Sequence, residues 1–245
     1  IVIISYNEEK NIGRCIRSVK AVADEVVVLD SFSTDRTAEI VRELGGSFHQ
    51  QTFTGYGAQK NAAATLASNN YILFLDADEL LSEELVKSIQ QEKERGFPYD
   101  GYRMNRLSNY CGHWIRHGSW YPDRKVRLVN RQKASWTADI VHESLVPEPG
   151  SRICWIPGDL LHYTYSSLEE HTEKNNRYST LSARLLFQKG KKASKFSIVF
   201  NPLWAFIRSY LLRAGFLDGF PGFIIAIQIA HLTFLKHSKL YHIQK

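Results

Sequence analysis

Methionine and cysteine are scarce in this sequence, with one methionine and three cysteines in 245 residues. Cys15, Cys111 and Cys154 are odd in number, far apart and outside any C-x-x-C pair. That excludes a disulfide framework and a zinc knuckle, and it points to a reducing compartment. Proline is sparse too, at seven, and no Pro- or Ser-rich stretch interrupts the chain. With 44% hydrophobic and 23% charged residues, that composition excludes disorder. No G-x-G-x-x-G follows the first apolar run, which leads into Ser5-Tyr6-Asn7-Glu8-Glu9, so a dinucleotide dehydrogenase is disfavoured. H-E-x-x-H is missing as well, because Val146 stands where the second histidine after His142-Glu143 belongs. A zinc protease is therefore out. There is no internal repeat. The chain opens at Ile1, inside an expected strand, so further residues are expected before it, and no signal peptide is read from this numbering.

Acids are what the C-terminal part lacks. From Gln188 onward Lys189, Lys191, Lys192, Lys195, Arg208, Arg213, Lys236, Lys239 and Lys245 stand against Asp218 alone. The formal charge of +6 and a pI near 9.1 imply an anionic partner, whether phosphate ligand, lipid surface or nucleic acid. No nucleic-acid reading motif accompanies the basic tail, so nucleic acid is set aside.

What the chain does have is alternation. "IVIIS" (1–5) is a buried-strand run, and Ile12, Cys15, Ile16 and Val19 then mark one face of a helix. "EVVVLD" (25–30) predicts a second strand, and "DRTAEIVREL" a helix that Gly45-Gly46 ends. A weaker strand over 47–53, a helix over about 58–67 and a strand over 71–75 follow. Continuous apolar strands separated by helices predict an α/β fold with a mostly parallel central sheet and helices on both faces. In such sheets ligands bind beyond the strands' carboxyl ends. Ser5-Tyr6-Asn7, Asp30-Ser31 and Asp76-Ala77-Asp78 all lie there. From about residue 97 the pattern turns aromatic, basic and alternating, as in antiparallel strands joined by a long loop. Ser167-x-x-Glu170 then opens a polar helix over about 167–189.

"YILFLDADEL" (71–80) carries the sharpest signal. Asp78 reads either as the cap of a helix beginning just beyond, a place that Ser82 also suits, or as a cation ligand. Capping does not explain a second acid, Asp76, at the end of the apolar run. Hard carboxylate oxygens suit Mg²⁺ or Mn²⁺ bridging to a substrate phosphate.

"IISYNEEKNIGRCIRSV", "EVVVLDSFSTDRTAEI", "QKNAA" and "YILFLDADE" occur in the order seen in the family 2 glycosyltransferases, and the chain resembles that family. The resemblance implies the GT-A nucleotide-sugar-binding fold. "GSWYPDRKVRLVNR", "VHESL" and "RSYLLRAGFLDGFPGF" further resemble the bacterial lipopolysaccharide core β-1,4-glucosyltransferases. By that resemblance Ser5, Tyr6, Asn7 and Glu8 cup the nucleoside, Asp30 accepts from uracil or ribose, and Lys60 faces the diphosphate or base. Asp78 ligates Mn²⁺ or Mg²⁺ directly, Asp76 contacts the ribose or a metal-bound water, and Ala77 lies between them at the donor. Independently of the resemblance, the spacing in "DRKVRLVNR" puts Arg127 and Lys125 on one strand face, suited to a diphosphate or to phosphates and carboxylates of the acceptor. Ser33, Thr34 and Asp35 suit caps of the next helix and rank below Asp30 as donor contacts, and Lys60 also suits a solvated helix face. An inverting transfer needs one carboxylate base. Glu143 is the first choice, since burial in an apolar run raises a carboxylate's pKa; a structural ion-pair partner is its alternative role, and Asp139 and Glu79 are rival bases. His142 is a further metal ligand or a plain strand histidine. Trp120, Tyr121 and Trp136 are stacking candidates, and Gly112–Pro122 an acceptor lid.

The division expected is a GT-A domain over 1–165 and a C-terminal helical extension over 166–245. "FIIAIQIAHLTFL" (223–235), broken by Gln228 and His231, falls short of the roughly 20 residues that span a bilayer. Apolar faces flanked by cations suit helices lying on an anionic membrane surface, with docking onto the domain or a second subunit as the alternative. The expected function is metal-dependent inverting transfer of a sugar, glucose first, from a UDP-sugar to a lipid-linked saccharide such as lipopolysaccharide core. Its expected place is cytoplasmic, on the inner face of the cytoplasmic membrane. Transfer to a polyprenyl phosphate and a non-catalytic nucleotide-binding module are the rival readings.

Overall fold

The computed structural model describes residues 1–137 and 143–245. Its first strands are the apolar runs of the sequence: β1 (Val2–Ser5), β2 (Val27–Asp30), β3 (Ser47–Gln50) and β4 (Tyr71–Asp76). Between them lie α1 (Ile12–Val19), α2 (Thr37–Glu43) and α3 (Tyr56–Leu66). A short strand, β5 (Glu79–Leu81), precedes α4 (Glu83–Glu94). Then come β6 (Gly101–Tyr110), β7 (His113–Ile115), β8 (Asp123–Asn130), β9 (Ala134–Trp136), β10 (Leu145–Pro147) and β11 (Ile153–Tyr165). The chain ends in α5 (Leu168–Gln188), α6 (Lys195–Ile207) and α7 (Gly219–Ile243), with a π-helical turn and a 3-10 turn between the last two.

The main sheet runs β3-β2-β1-β4-β8-β6-β11-β5. Its first four strands are parallel, and β8 joins β4 antiparallel. Register decides which residues meet at the carboxyl edge: Ser5 stands opposite Asp30, and Ile4 opposite Asp76. Alternation along β1 sends Ile3 to one face, with Ile12, Cys15, Ile16 and Val41 of α1 and α2. Val2 goes to the other, with Ala63 of α3, Phe74 and Trp136. Both faces of the parallel half are thus buried, which is why its strands read as unbroken apolar runs.

The chain forms two units, one of residues 1–106 and 123–162, the other of 107–122 and 163–245. The sequence division put all residues up to 165 together. The aromatic loop 107–122 instead groups with the C-terminal helices, because its side chains pack there. Tyr110, Ile115 and Trp120 surround Ile225, and His117 donates its backbone N–H to Asp218 at 2.8 Å. Ser167 caps α5, taking the Glu170 N–H at 3.2 Å, while the Glu170 carboxylate returns to Ser166 and not to the cap residue. α7 is, by length and composition, the one helix among the described residues able to cross a membrane. The apolar-run reading had discounted it because Gln228 and His231 interrupt the run.

His171, on α5, is buried between ring systems, stacked on Tyr165 at 4.2 Å and bonded to the Tyr110 hydroxyl. Burial, aided by Lys174, lowers its pKa from 6.5 to about 4. Above pH 6.5 the ring is neutral whether the chain is folded or not. Between that pH and about 4 the unfolded chain binds a proton that the folded chain refuses. Stability therefore falls as pH drops through this window, by up to about 3 kcal/mol. Urea unfolding at neutral and mildly acidic pH should show the slope in the native chain and a flatter one in His171→Phe.

Candidate active site

Two loops at the carboxyl ends of β1 and β2 are laced together by short polar side chains. Asp30 is fully buried, and its carboxylate accepts from the Ser5 hydroxyl at 2.8 Å, the Ser33 N–H at 2.6 Å and the Ser33 hydroxyl. Ser33 in turn accepts the Asn7 N–H at 2.7 Å, and Asn7 accepts the Thr34 N–H at 2.9 Å. Asn7 takes a left-handed backbone, φ 55°, that asparagine tolerates. Phe32 is held at φ 64°, unusual for a bulky residue, with its ring exposed; the exposed Tyr6 belongs to the neighbouring loop. Glu8 anchors its backbone N–H on Thr37 at 2.8 Å, and burial raises its carboxyl pKa against an opposing hydrogen bond from Asn11. The structure gives Asp30 the part of setting these loops.

The acidic turn after β4 is a charge cluster. Asp76 Oδ1 lies 2.8 Å from Lys60 Nζ, and Oδ2 lies 3.1 Å from Arg127 Nη2. Glu79, wholly buried, accepts the Asp76 N–H at 3.0 Å and the same Arg127 nitrogen at 3.0 Å. Trp136 spreads beneath both cations, with Lys60 Nζ 4.3 Å and the Arg127 guanidinium 5.3 Å from its ring centre. Burial by itself would raise the Asp76 pKa, but Lys60 and Arg127 outweigh it and hold the carboxyl well below the usual range. Burial likewise opposes the Arg127 charge, and Glu79 and Asp76 overcome it to raise its pKa. Charges as buried as Lys60, 3% exposed, persist only when paired in this way. Glu143 Oε1 is 3.6 Å from Lys60 Nζ, so that cation is shared between two carboxylates. Gly57 permits the arrangement, since a Cβ there would sit 1.9 Å from the Thr137 carbonyl oxygen.

The capping reading of Asp78 fails. Residues 79–81 continue as strand β5, and Ser82 caps α4 by accepting the Leu85 N–H at 3.2 Å. Asp78 Oδ2 instead lies 3.2 Å from Nε2 of His162, which β11 delivers opposite Glu79 in its antiparallel pairing with β5. His162 was missed in the sequence; its one signal is a histidine inside the apolar run "GDLLHYTY". Among the described residues no group of three or more His, Cys, Asp or Glu gathers into a complete metal site. A carboxylate oxygen and an imidazole nitrogen about 3 Å apart could nevertheless both ligate one divalent cation.

Of the expected residues, Lys60, Asp76, Arg127 and Glu143 meet in one cluster, and Ser5, Asn7 and Asp30 in another. Arg127 spends its Nη2 on carboxylates, and its Nε and Nη1 have no hydrogen-bond partner among the described residues. Glu79, a rival base, is closed off by Asp76, Arg127 and Arg106. Asp139 and His142 lie outside the described residues.

The model for "Glycosyl transferase family 2" matches residues 1–144. The chain is a family 2 glycosyltransferase. Its fold is the GT-A type, a mixed sheet with a parallel half, helices on both faces and a helical C-terminal extension. This glycosyltransferase is 34% identical over 250 residues to an uncharacterized glycosyltransferase of Rickettsia typhi, covering 97% of this chain and 85% of the relative. It is 32% identical over 245 residues to the lipopolysaccharide core biosynthesis glycosyltransferase LpsC of Rhizobium meliloti, covering 98% of this chain and 90% of LpsC. Among solved structures, it resembles the glucosyl-3-phosphoglycerate synthase of Mycobacterium tuberculosis in complex with Mn²⁺, UDP and glucosyl-3-phosphoglycerate. That likeness has TM-score 0.49 and 16% identity, over 79% of this chain and 80% of the other.

Proposed function

We propose that this glycosyltransferase moves a hexose, glucose as first choice, from a UDP-sugar to a lipopolysaccharide core or related glycolipid, with inversion and with Mn²⁺ or Mg²⁺ as cofactor. The carrying observation is the acidic turn, where Lys60 and Arg127 clamp Asp76 while Asp78 stands against His162. The likeness to LpsC supports the acceptor class. Work on such an acceptor puts the enzyme at the inner face of the cytoplasmic membrane.

The uridine sits against the laced loops, with Tyr6 and Phe32 as exposed rings for the base and Asn7 and Glu8 as polar groups for base or ribose. Asp76, kept charged by its two cations, faces the ribose. A divalent ion on Asp78 and His162 would supply electrostatic stabilisation of the departing diphosphate. Glu143 takes the proton of the acceptor hydroxyl as that oxygen attacks the anomeric carbon. Lys60, 3.6 Å from Glu143, holds the base and Asp76 to one cation.

A thermal-shift panel of nucleotide sugars, each with and without Mn²⁺, tests the donor. Stabilisation grows as the logarithm of ligand over Kd, about 2.7 kcal/mol at a hundredfold excess. UDP-glucose with Mn²⁺ should give the largest shift. An identical melting curve with every uridine nucleotide would overturn the donor assignment.

A further inference from the structure

The C-terminal helices present an apolar surface that nothing in their own unit covers. α6 is securely started by a capping box between Ser194 and Ser197, yet none of its thirteen residues is buried. Phe196, Val199, Leu203 and Trp204 repeat at helical spacing along its open side, with Phe196 66% exposed. Leu212 and Phe220 extend the patch through the turns into α7, with Phe220 72% exposed. Soluble surfaces rarely gather so many large apolar side chains without a partner.

Charge says what the partner is. Between Lys174 and Lys245 the sole acid is Asp218. Its carboxylate is turned inward, taking the backbone N–H groups of Arg116 and His117 and the His117 ring. Lys191, Lys192, Lys195, Arg208 and Arg213 are exposed beside the apolar residues, with no exposed acid in that stretch to neutralise them. A band of apolar side chains edged only by cations matches an anionic lipid leaflet: acyl chains for the first, phosphate headgroups for the second.

Packing also fixes how the helices lie. α7 is long enough to cross a bilayer, but one flank is committed to α5. Gln228 is buried and accepts from Asn175 at 2.9 Å, and Lys239 Nζ donates to Asn176 Oδ1, Ser179 and Thr180 at 2.7 to 2.8 Å. α5 carries Glu169, Glu170, Glu173, Lys174 and Arg177, which hydrocarbon would not admit. We infer that α6 and the N-terminal half of α7 lie in the plane of an anionic membrane surface, inserting Phe196, Trp204 and Phe220 among the acyl chains without crossing. The inference rests on the acceptor reading above for its purpose, but its test uses neither donor nor acceptor.

The full chain is floated with phosphatidylcholine vesicles, with or without about 30 mol % phosphatidylglycerol. It should rise with the anionic vesicles and bind the neutral ones about tenfold or more weakly. A Phe196→Ser/Trp204→Ser/Phe220→Ser variant, altered only at exposed positions, should keep its melting temperature and stay at the bottom even at low salt. Lys191→Gln/Lys192→Gln/Lys195→Gln should narrow the difference between the two lipids, and it serves if the first variant misfolds. Native chain that never floats overturns the inference. So does an apolar-to-serine variant that floats equally well, or one whose sole change is a dimer falling to a monomer, which would assign the face to a second copy. Flotation without any uridine nucleotide shift would keep the membrane inference and sink the donor reading; the reverse result separates them the other way.

Discussion

Glu143→Gln is expected to lower turnover by about two to four orders of magnitude, the usual worth of a positioned general base. Donor affinity should stay near native. The substitution keeps the side chain's size and its place beside Lys60, whose Nζ is 3.6 Å away, so the fold has little to lose. What it removes is an oxygen able to take a proton. The Glu143 side chain is 22% exposed, open enough to meet an acceptor, whereas the rival Glu79 is sealed beneath Arg127. Steady-state kinetics on a core-oligosaccharide acceptor measure kcat, and a thermal shift with UDP-glucose reports donor affinity. Full turnover in the glutamine variant would mean that the acceptor oxygen arrives already ionised, as on a polyprenyl phosphate.

Asp76→Ala should destabilise the chain by about 3 kcal/mol, the lower end for breaking a buried ion pair, since 31% of the Asp76 side chain is open to water. The loss follows from what stays behind. Among the described carboxylates Lys60 would keep the more distant Glu143, and Arg127 would keep Glu79. The Asp76 pKa lies below its unfolded value, so its contribution is present above the ordinary carboxylate range and fades as pH falls towards the folded value. Urea unfolding should therefore separate native and variant most at neutral pH and least in strong acid. Adding Lys60→Met should restore part of the loss, because the double variant no longer buries an ammonium that has lost its nearer carboxylate. A deficit under about 1 kcal/mol, or strictly additive losses, would show that the cluster is not coupled.

The parallel half of the sheet was legible because burial on both faces leaves nearly unbroken apolar runs, and Ser5, Asp30 and Asp76 could be aligned by counting. The turn after β4 was legible in type but not in partners. Glu79 reads as one more acid before a helix; its wholly buried place depends on Arg127, 48 residues away, which no local pattern reveals. Trp136 reads as a candidate for stacking on sugar, yet it packs edge-on to Phe74 and lies under Lys60. The loop 107–122 was grouped by sequence proximity with the first unit, while its contacts belong to Ile225 and Asp218 far downstream. The acid-poor, apolar tail was visible from composition. That Asp218 faces inward was not.

The antiparallel pairing that sets His162 opposite Glu79 also imposes a counting rule on the chain. Gly158, at φ 95°, pins β11 where a side chain would strike the Leu85 nitrogen at 2.3 Å, and His162 follows four residues later. Strand side chains alternate strictly, so inserting or deleting one residue between them would turn the imidazole to the opposite face, away from Asp78. Leu160 between them is fully buried in the core and fixes the strand's place by packing; the spacing itself has no slack. A search for chains sharing this site can therefore look for a length as well as for residues: D-x-D, and further on a glycine with a histidine four places beyond it.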